Sequence, residues 1–143
     1  MPSSWTSWVS AEAPRFQITV TASPADIDEL GHVNNAVYLR WIQDVATAHW
    51  RSVAPADVQA AWVWVVTRHE IDHLRQTLAG ETLTLSTWVG AHRGARFDRH
   101  VEIHGPDGTL RVRAVTAWAL IDRASGRLSR VRDDLISLFA PGG

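Results

Sequence analysis

The sequence of 143 residues contains no cysteine and no lysine, and all 14 of its Lys-or-Arg positions are arginines. The absence of cysteine excludes a disulfide scaffold, a thiolate metal site and a cysteine nucleophile. The absence of lysine excludes Schiff-base chemistry and a phosphate loop that depends on lysine. Fifteen acidic residues bring the net charge to −1, which argues against a nucleic-acid partner held through its phosphates.

Long apolar runs are missing as well. No stretch reaches the roughly 18 consecutive apolar residues of a membrane helix, so we expect no membrane partner. The length suits one domain, which we place at residues 15–143, after a polar N-terminal tail at residues 1–14. This tail lacks the basic start and apolar run of a signal peptide, and the expected location is therefore cytoplasmic.

The hydrophobic pattern predicts one strand, one long helix and then four strands. The predicted elements are a strand at 16–21, a helix from 36 to about 53, strands at 62–74, 81–91, 96–104 and 110–122, and a short helix at 133–139. The strand at 62–74 begins as a continuous apolar run, which is typical of burial on both faces. Because one helix cannot supply repeated parallel crossovers, the expected fold is α+β, a mostly antiparallel sheet with the helix on one face.

The segment His69-Glu70-Ile71-Asp72-His73 matches the H-E-x-x-H pattern of zinc proteases. That pattern works on a helix, where both histidines lie on one face and reach the same metal ion. Here it follows WVWVVT, which favours a strand, and four residues of a strand span ~13 Å at ~3.3 Å each. We therefore interpret the match as a coincidence and expect no metal.

The loop before the long helix concentrates polar side chains that can carry chemistry. It reads DIDELGHVNNAVY, from Asp26 to Tyr38, with two Asp, a Gly, a His and two Asn. A carboxylate beside a helix N-terminus supplies a base or nucleophile together with N–H groups for a developing oxyanion. The alternative is structural, with Asn34 or Asn35 capping the helix and the acids complementing its dipole.

The segment DIDELGHVNNAVYLRW resembles the D-x-D-x-x-G-H-V-N-N-x-x-Y signature of hot-dog acyl-CoA thioesterases of the 4-hydroxybenzoyl-CoA thioesterase-like family. The stretch EIDHLRQTLAGETLTLSTWVGAHRGARF is similar to the second and third strands of that family. The resemblance implies a hot-dog fold, an antiparallel sheet wrapped around one long central helix. It also implies dimers with active sites at the subunit interface, and hydrolysis of a thioester to the free acid and coenzyme A.

The resemblance assigns roles residue by residue. Asp28 matches the catalytic carboxylate, as general base or nucleophile, and Asn35 falls where a backbone N–H polarises the thioester carbonyl. His32 and Asn34 lie in the same loop, His32 as a catalytic residue and Asn34 as a substrate-binding one. Tyr38 matches an aromatic residue that either contacts substrate or packs in the core.

Two arginines between predicted strands, Arg93 and Arg96, flank a glycine and are candidates for binding the phosphates of coenzyme A through paired N–H donors. The alternative is that they are a solvated hairpin tip. Since a thiolate leaves without strong acid help, the reaction needs neither a metal nor a cofactor other than the coenzyme A of the substrate. Leu30 departs from plant acyl-carrier-protein thioesterases, which have an Asn at this place.

Two other functions remain open. Hot-dog hydratases use an Asp and a His close together, and Asp28 and His32 are four residues apart. A non-catalytic module that binds acyl-CoA is the second alternative. For assembly, the apolar segment 62–66 predicts an edge that pairs with its own copy, giving a homodimer or a dimer of dimers.

Overall fold

The computed structural model describes residues 15–140, so the predicted tail at residues 1–14 lies outside the described part of the chain. The strands are β1 (Phe16–Thr21), β2 (Trp62–His73), β3 (Thr82–Arg93), β4 (Arg96–His104) and β5 (Leu110–Asp122). The helices are α1 (Asn35–Val53), α2 (Ala56–Ala61) and α3 (Asp133–Ser137), and a 3-10 turn covers Pro24–Asp26. No helix in the described range is long and apolar enough to cross a membrane.

The five strands form one sheet in the order β1-β3-β4-β5-β2, and every neighbouring pair is antiparallel. Along each strand alternate side chains point to the face that α1 covers. On β4, for instance, Phe97, Val101 and Ile103 are buried, whereas Asp98 is exposed. The predicted antiparallel α+β architecture is confirmed.

One face of helix α1 packs against the sheet. Its buried residues follow the helical repeat: Tyr38, Trp41, Ile42, Val45, Ala46 and His49. They pack on buried residues of β3, β4 and β5, and these include Leu85, Val101 and Ala114. Gln43 and Asp44 remain exposed, so the helix is buried on one side only.

Two features differ from the expectation. The structure adds a helix, α2, which Pro55 caps directly after α1 ends. It has no buried residue and is short, so the hydrophobic pattern carries no signal for it. The prediction that β2 is buried on both faces is wrong for this chain, since β2 is an edge strand and Val65 is 39% exposed. Its pairing with β5 also shifts register between Val66 and Arg68.

Candidate active site

A tight loop brings Asp28 and His32 together ahead of α1. The loop is closed by an antiparallel bridge between Ile27 and Val33. Inside it, the Asp28 N–H donates to the His32 carbonyl at 2.9 Å, and the Gly31 N–H donates to the Asp28 carbonyl at 3.0 Å. Gly31 has a φ of 85°, which favours glycine at this position. Backbone hydrogen bonds therefore fix the position of Asp28, and its carboxylate is not needed for this purpose.

The two aspartates of the D-x-D pattern have different surroundings. Asp26 is buried, and its carboxylate accepts hydrogen bonds from the Ser23 N–H and hydroxyl and from the Arg40 guanidinium. The Ser23 N–H, above all, lowers the pKa of Asp26. Asp28 is half-buried, and its Oδ1 accepts from the Leu30 N–H at 2.9 Å. Its Oδ2 accepts no hydrogen bond within residues 15–140, so this oxygen is available to a bound molecule.

Helix α1 begins beside this carboxylate. Asn34 caps the helix, its Oδ1 accepting from the Ala36 N–H at 2.8 Å, as one of the two capping alternatives predicts. Asn35 is the first helical residue, and the first N–H groups of a helix have no acceptor within it. Asn35 and Asp28 line the same cleft. The positive end of the helix dipole and a carboxylate thus share one solvent-accessible space.

The opposite wall of the cleft comes from the end of β2 and the segment after it. The cleft has a volume of about 500 Å³. It is lined by Asp28, Leu30, His32, Val33, Asn34, Asn35, Tyr38, His73, Leu74, Arg75 and Gln76. Five of the seven predicted site residues are therefore together: Asp28, His32, Asn34, Asn35 and Tyr38. The residues at 73–76 were not predicted as site residues, although two quoted segments include some of them, because only the sheet brings them to this cleft.

Tyr38 forms the floor of the cleft rather than its rim. Its side chain is buried, its ring packs edge-on against Trp41 at 5.6 Å, and it lies 5.4 Å from the ring of His73. Burial raises the pKa of the Tyr38 phenol, which therefore stays protonated. Tyr38 thus packs in the core and reaches the cleft at once, so both roles considered for it are compatible.

Arg111 on β5 braces the wall at residues 74–77. Its guanidinium is buried and donates to the Gln76 carbonyl at 2.7 Å and to the Glu81 carboxylate at 3.0 Å. The hydrogen bond from Arg111, and then that from the Leu78 N–H, lowers the pKa of Glu81. The guanidinium lies directly over Gly105, where an added Cβ would approach to 2.3 Å. The wall is thus held by charge-assisted hydrogen bonds and not by loop packing alone.

The structure does not bring Arg93 and Arg96 to this cleft. They face each other across the β3–β4 turn, and both are exposed. This turn lies at the end of the sheet opposite the cleft, because β3 begins next to the end of β1 and runs away from it. Within one chain they do not line the cleft that contains Asp28.

The histidines of the H-E-x-x-H segment lie on strand β2, as the sequence predicts. His73 lines the cleft, whereas His69 makes a 3.0 Å contact with the Thr116 hydroxyl. Burial lowers the pKa of His69. Within the described residues no three His, Asp or Glu side chains are grouped as metal ligands.

Comparison with known proteins identifies the family of this chain. The sequence matches the profile of the thioesterase-like superfamily over residues 22–139. A chloroplastic acyl-(acyl-carrier-protein) hydrolase of Cuphea viscosissima is 29% identical over 80 residues, 55% of this chain and 19% of that protein. The chain thus spans about a fifth of the length of this curated relative.

Solved structures show the same fold. A 1,4-dihydroxy-2-naphthoyl-CoA thioesterase from Synechocystis superposes with a TM-score of 0.75 at 16% identity, over 88% of this chain and 96% of that one. A 4-hydroxybenzoyl-CoA thioesterase in complex with 4-hydroxybenzoyl-CoA gives 0.79 at 18% identity, over 90% of this chain and 100% of that one. The hot-dog fold is therefore confirmed. With the family profile matching nearly the whole described domain, this chain belongs to the thioesterase-like superfamily.

Proposed function

We propose that this protein is an acyl-CoA thioesterase that hydrolyses a thioester to the free acid and coenzyme A. The observation that carries the proposal is that the Asp28 carboxylate and the start of α1 at Asn35 line one cleft. Family membership supports it, and so do the coenzyme A thioesterases among the structures with the same fold.

In this mechanism the substrate carbonyl oxygen lies near the Asn35 N–H. The positive end of α1 stabilises the negative charge that develops on this oxygen. Asp28, through Oδ2, either takes a proton from the attacking water or attacks the carbonyl carbon itself. In the second case the coenzyme A thiolate leaves, and water hydrolyses the resulting anhydride to the free acid and the Asp28 carboxylate. No metal and no further cofactor takes part, because a thiolate is a good leaving group.

The decisive experiment replaces Asp28 with asparagine, which keeps the shape of the side chain and removes its charge. We expect thiol release from the best thioester of a panel to fall by about 100-fold or more, as for a lost general base. Glu29→Gln is the matched control, since Glu29 is exposed beside Asp28 and lies outside the cleft lining. Near-full activity of Asp28→Asn would refute the role of Asp28.

The same panel separates the alternatives. Loss of enoyl-CoA absorbance without free thiol would indicate a hydratase that uses Asp28 and His32. Tight binding of coenzyme A without hydrolysis of any thioester would indicate a binding module. Because the Cuphea relative is an acyl-carrier-protein hydrolase, the panel includes the same acyl groups on acyl carrier protein.

We also propose that the active unit is a homodimer paired through β2, the free edge on this side of the sheet. A two-fold axis pairs β2 with its copy antiparallel and places the Trp62 end of one strand beside the His73 end of the other. Arg96 and Val65 both pair with Ala119 of β5, from its two sides, so Arg96 lies near the Trp62 end of β2. Arg93 and Arg96 of the second copy would then lie at the same end as the cleft and contact the coenzyme A phosphates.

Assembly beyond a dimer and the cytoplasmic location stay predictions. Sedimentation of the purified protein separates a dimer from a tetramer. Fractionation of cells tests the location.

A further inference from the structure

A second cavity, distinct from the cleft, lies at the C-terminal half of α1. It has a volume of about 230 Å³. Its wall contains five aromatic side chains: Trp50, Trp62, Trp64, Phe97 and Trp118. We call it the tryptophan cavity. It is about 22 Å along α1 from Asn35, counting ~1.5 Å for each residue to Trp50.

Arg99 lies in the wall of this cavity with only 2% of its surface exposed. Its Nη1 makes 3.0 Å hydrogen bonds with His49 Nδ1 and with the Thr87 hydroxyl. The guanidinium also faces the rings of Phe97 and Phe139, at 5.5 and 5.1 Å. Within residues 15–140 no carboxylate lies within 4.0 Å of it, and its buried Nε has no acceptor.

This arrangement is unusual because buried cations are normally paired with an anion. His49 is no counterion. Burial, followed by the charge of Arg99, lowers the pKa of His49 to about 4, so near neutral pH it is uncharged and acts as an acceptor. Burial also lowers the pKa of Arg99 to about 9. An anion bound beside Arg99 would stabilise its charged form.

Two indole groups add to the surplus of donors. The Nε1 atoms of Trp64 and Trp118 are buried, and neither has an acceptor within the described residues. Both side chains line the tryptophan cavity together with Arg99. Buried donors in folded proteins are almost always paired, so the residues around this cavity carry three donors in surplus.

We propose that the tryptophan cavity binds a small organic acid, with its carboxylate at Arg99 and its apolar body among the tryptophan rings. The volume fits this class, because a cavity of about 150 Å³ holds benzene. A single ring with a carboxylate fits, whereas a long acyl chain does not. The acid is either free or the distal carboxylate of an acyl group whose thioester lies in the cleft of the second copy. The latter case rests on the proposed dimer, which places the Trp62 end of one β2 beside the His73 end of the other.

Binding is measured by calorimetry on the full-length protein with benzoate and phenylacetate, and with the neutral amides of both as controls. We expect one acid bound for each chain and amides at least about 10-fold weaker, as for loss of a charge-assisted hydrogen bond. In NMR spectra the indole N–H signals of Trp64 and Trp118 should shift on addition of the acid. No binding at millimolar acid, or equal binding of acid and amide, would overturn the proposal.

Variants locate the site. Arg99→Met replaces the cation with an apolar side chain of similar length and should weaken binding by about 10- to 100-fold. Trp118→Phe keeps a ring and removes the N–H, so it should weaken binding of the acid less than Arg99→Met does. It replaces Arg99→Met in the test if that variant does not fold. Arg127→Gln removes an equal charge outside the cavity and should bind as the wild type does. Undiminished binding by both cavity variants would refute the assignment.

The source of the carboxylate is decided by kinetics. If a thioester with a distal carboxylate is preferred over its uncharged analogue, and Arg99→Met abolishes the preference, the cavity holds the acyl group. If acids bind without changing KM for any thioester, the cavity holds a free acid. Either result supports binding of a carboxylate at Arg99. The calorimetry tests this binding even if the protein hydrolyses no thioester.

Discussion

At the scale of single residues, partners decide what each ionisable group does. Asp26 and Asp28 are the same residue type two positions apart, yet one is held by Ser23 and Arg40 and the other keeps a free oxygen in a cleft. A charged ligand is bound more readily by a carboxylate or guanidinium that the fold has not already satisfied. The same reasoning singles out Arg99, whose nearest polar partners, His49 and Thr87, are uncharged.

His49 predicts how stability depends on pH. Its pKa is lowered from 6.5 to about 4 in the folded protein, so as the pH falls the unfolded chain binds the proton first. The contribution is complete above pH 6.5 and is lost between pH 6.5 and 4, up to about 3 kcal/mol of unfolding free energy. Urea unfolding of the wild type at several pH values measures this loss.

His49→Gln is the control for this prediction. Glutamine offers Arg99 an acceptor but does not titrate, so stability of the variant should fall less steeply with acid. His69 and His100, whose pKa values burial also lowers, are present in both proteins and cancel in the comparison. Identical pH dependence of the two proteins would mean that His49 is not held neutral by the fold.

At the scale of elements, the start of α1 couples stability to catalysis. Asn34→Ala removes the capping acceptor of the Ala36 N–H and should cost about 1 kcal/mol of unfolding free energy. Fraying of the first turn would also displace the Asn35 N–H, so thiol release should slow. Asn34→Ser retains a cap and should keep most of both properties. Equal thioesterase activity in the alanine and serine variants would show that the helix cap does not affect the reaction.

Elements with a regular pattern were predictable, and those defined by pairing were not. Alternation located β4 and β5, and the helical repeat with Asn34 located α1. The run at Trp62–Val66 predicted an edge strand, and the sheet order confirms this position, but the run does not encode which strand β2 pairs with.

The candidate site shows the same limit. Its residues from Asp28 to Tyr38 lie within one short segment and were predicted from one motif. Arg99 and His49 are 50 positions apart and meet only through packing of α1 on β4. An arginine on the apolar face of β4 breaks the alternation, and this was the only signal for the tryptophan cavity.

At the scale of the whole molecule, assembly through β2 can be tested with one charge. Val65→Glu places a carboxylate on the exposed edge strand, where pairing of the two copies would bury it without a partner. The wild type should have twice the 15.9 kDa mass of the chain by light scattering, and the variant should approach the mass of one chain and lose activity.

Leu128→Glu is the matched control, because Leu128 is also apolar and exposed but lies outside β2. It should keep the mass and activity of the wild type. A wild type that has the mass of one chain at micromolar concentration, with full activity, would contradict the dimer.

The register shift of β2 between Val66 and Arg68 has a consequence for solubility. An exposed apolar edge strand invites further chains to add indefinitely, as in amyloid, when it is long and flat. The irregularity at Thr67 divides β2 into two short stretches with different twist. A ladder of hydrogen bonds along this edge is interrupted at the irregularity, which opposes indefinite addition of strands. Protein that has lost the irregularity should aggregate more readily.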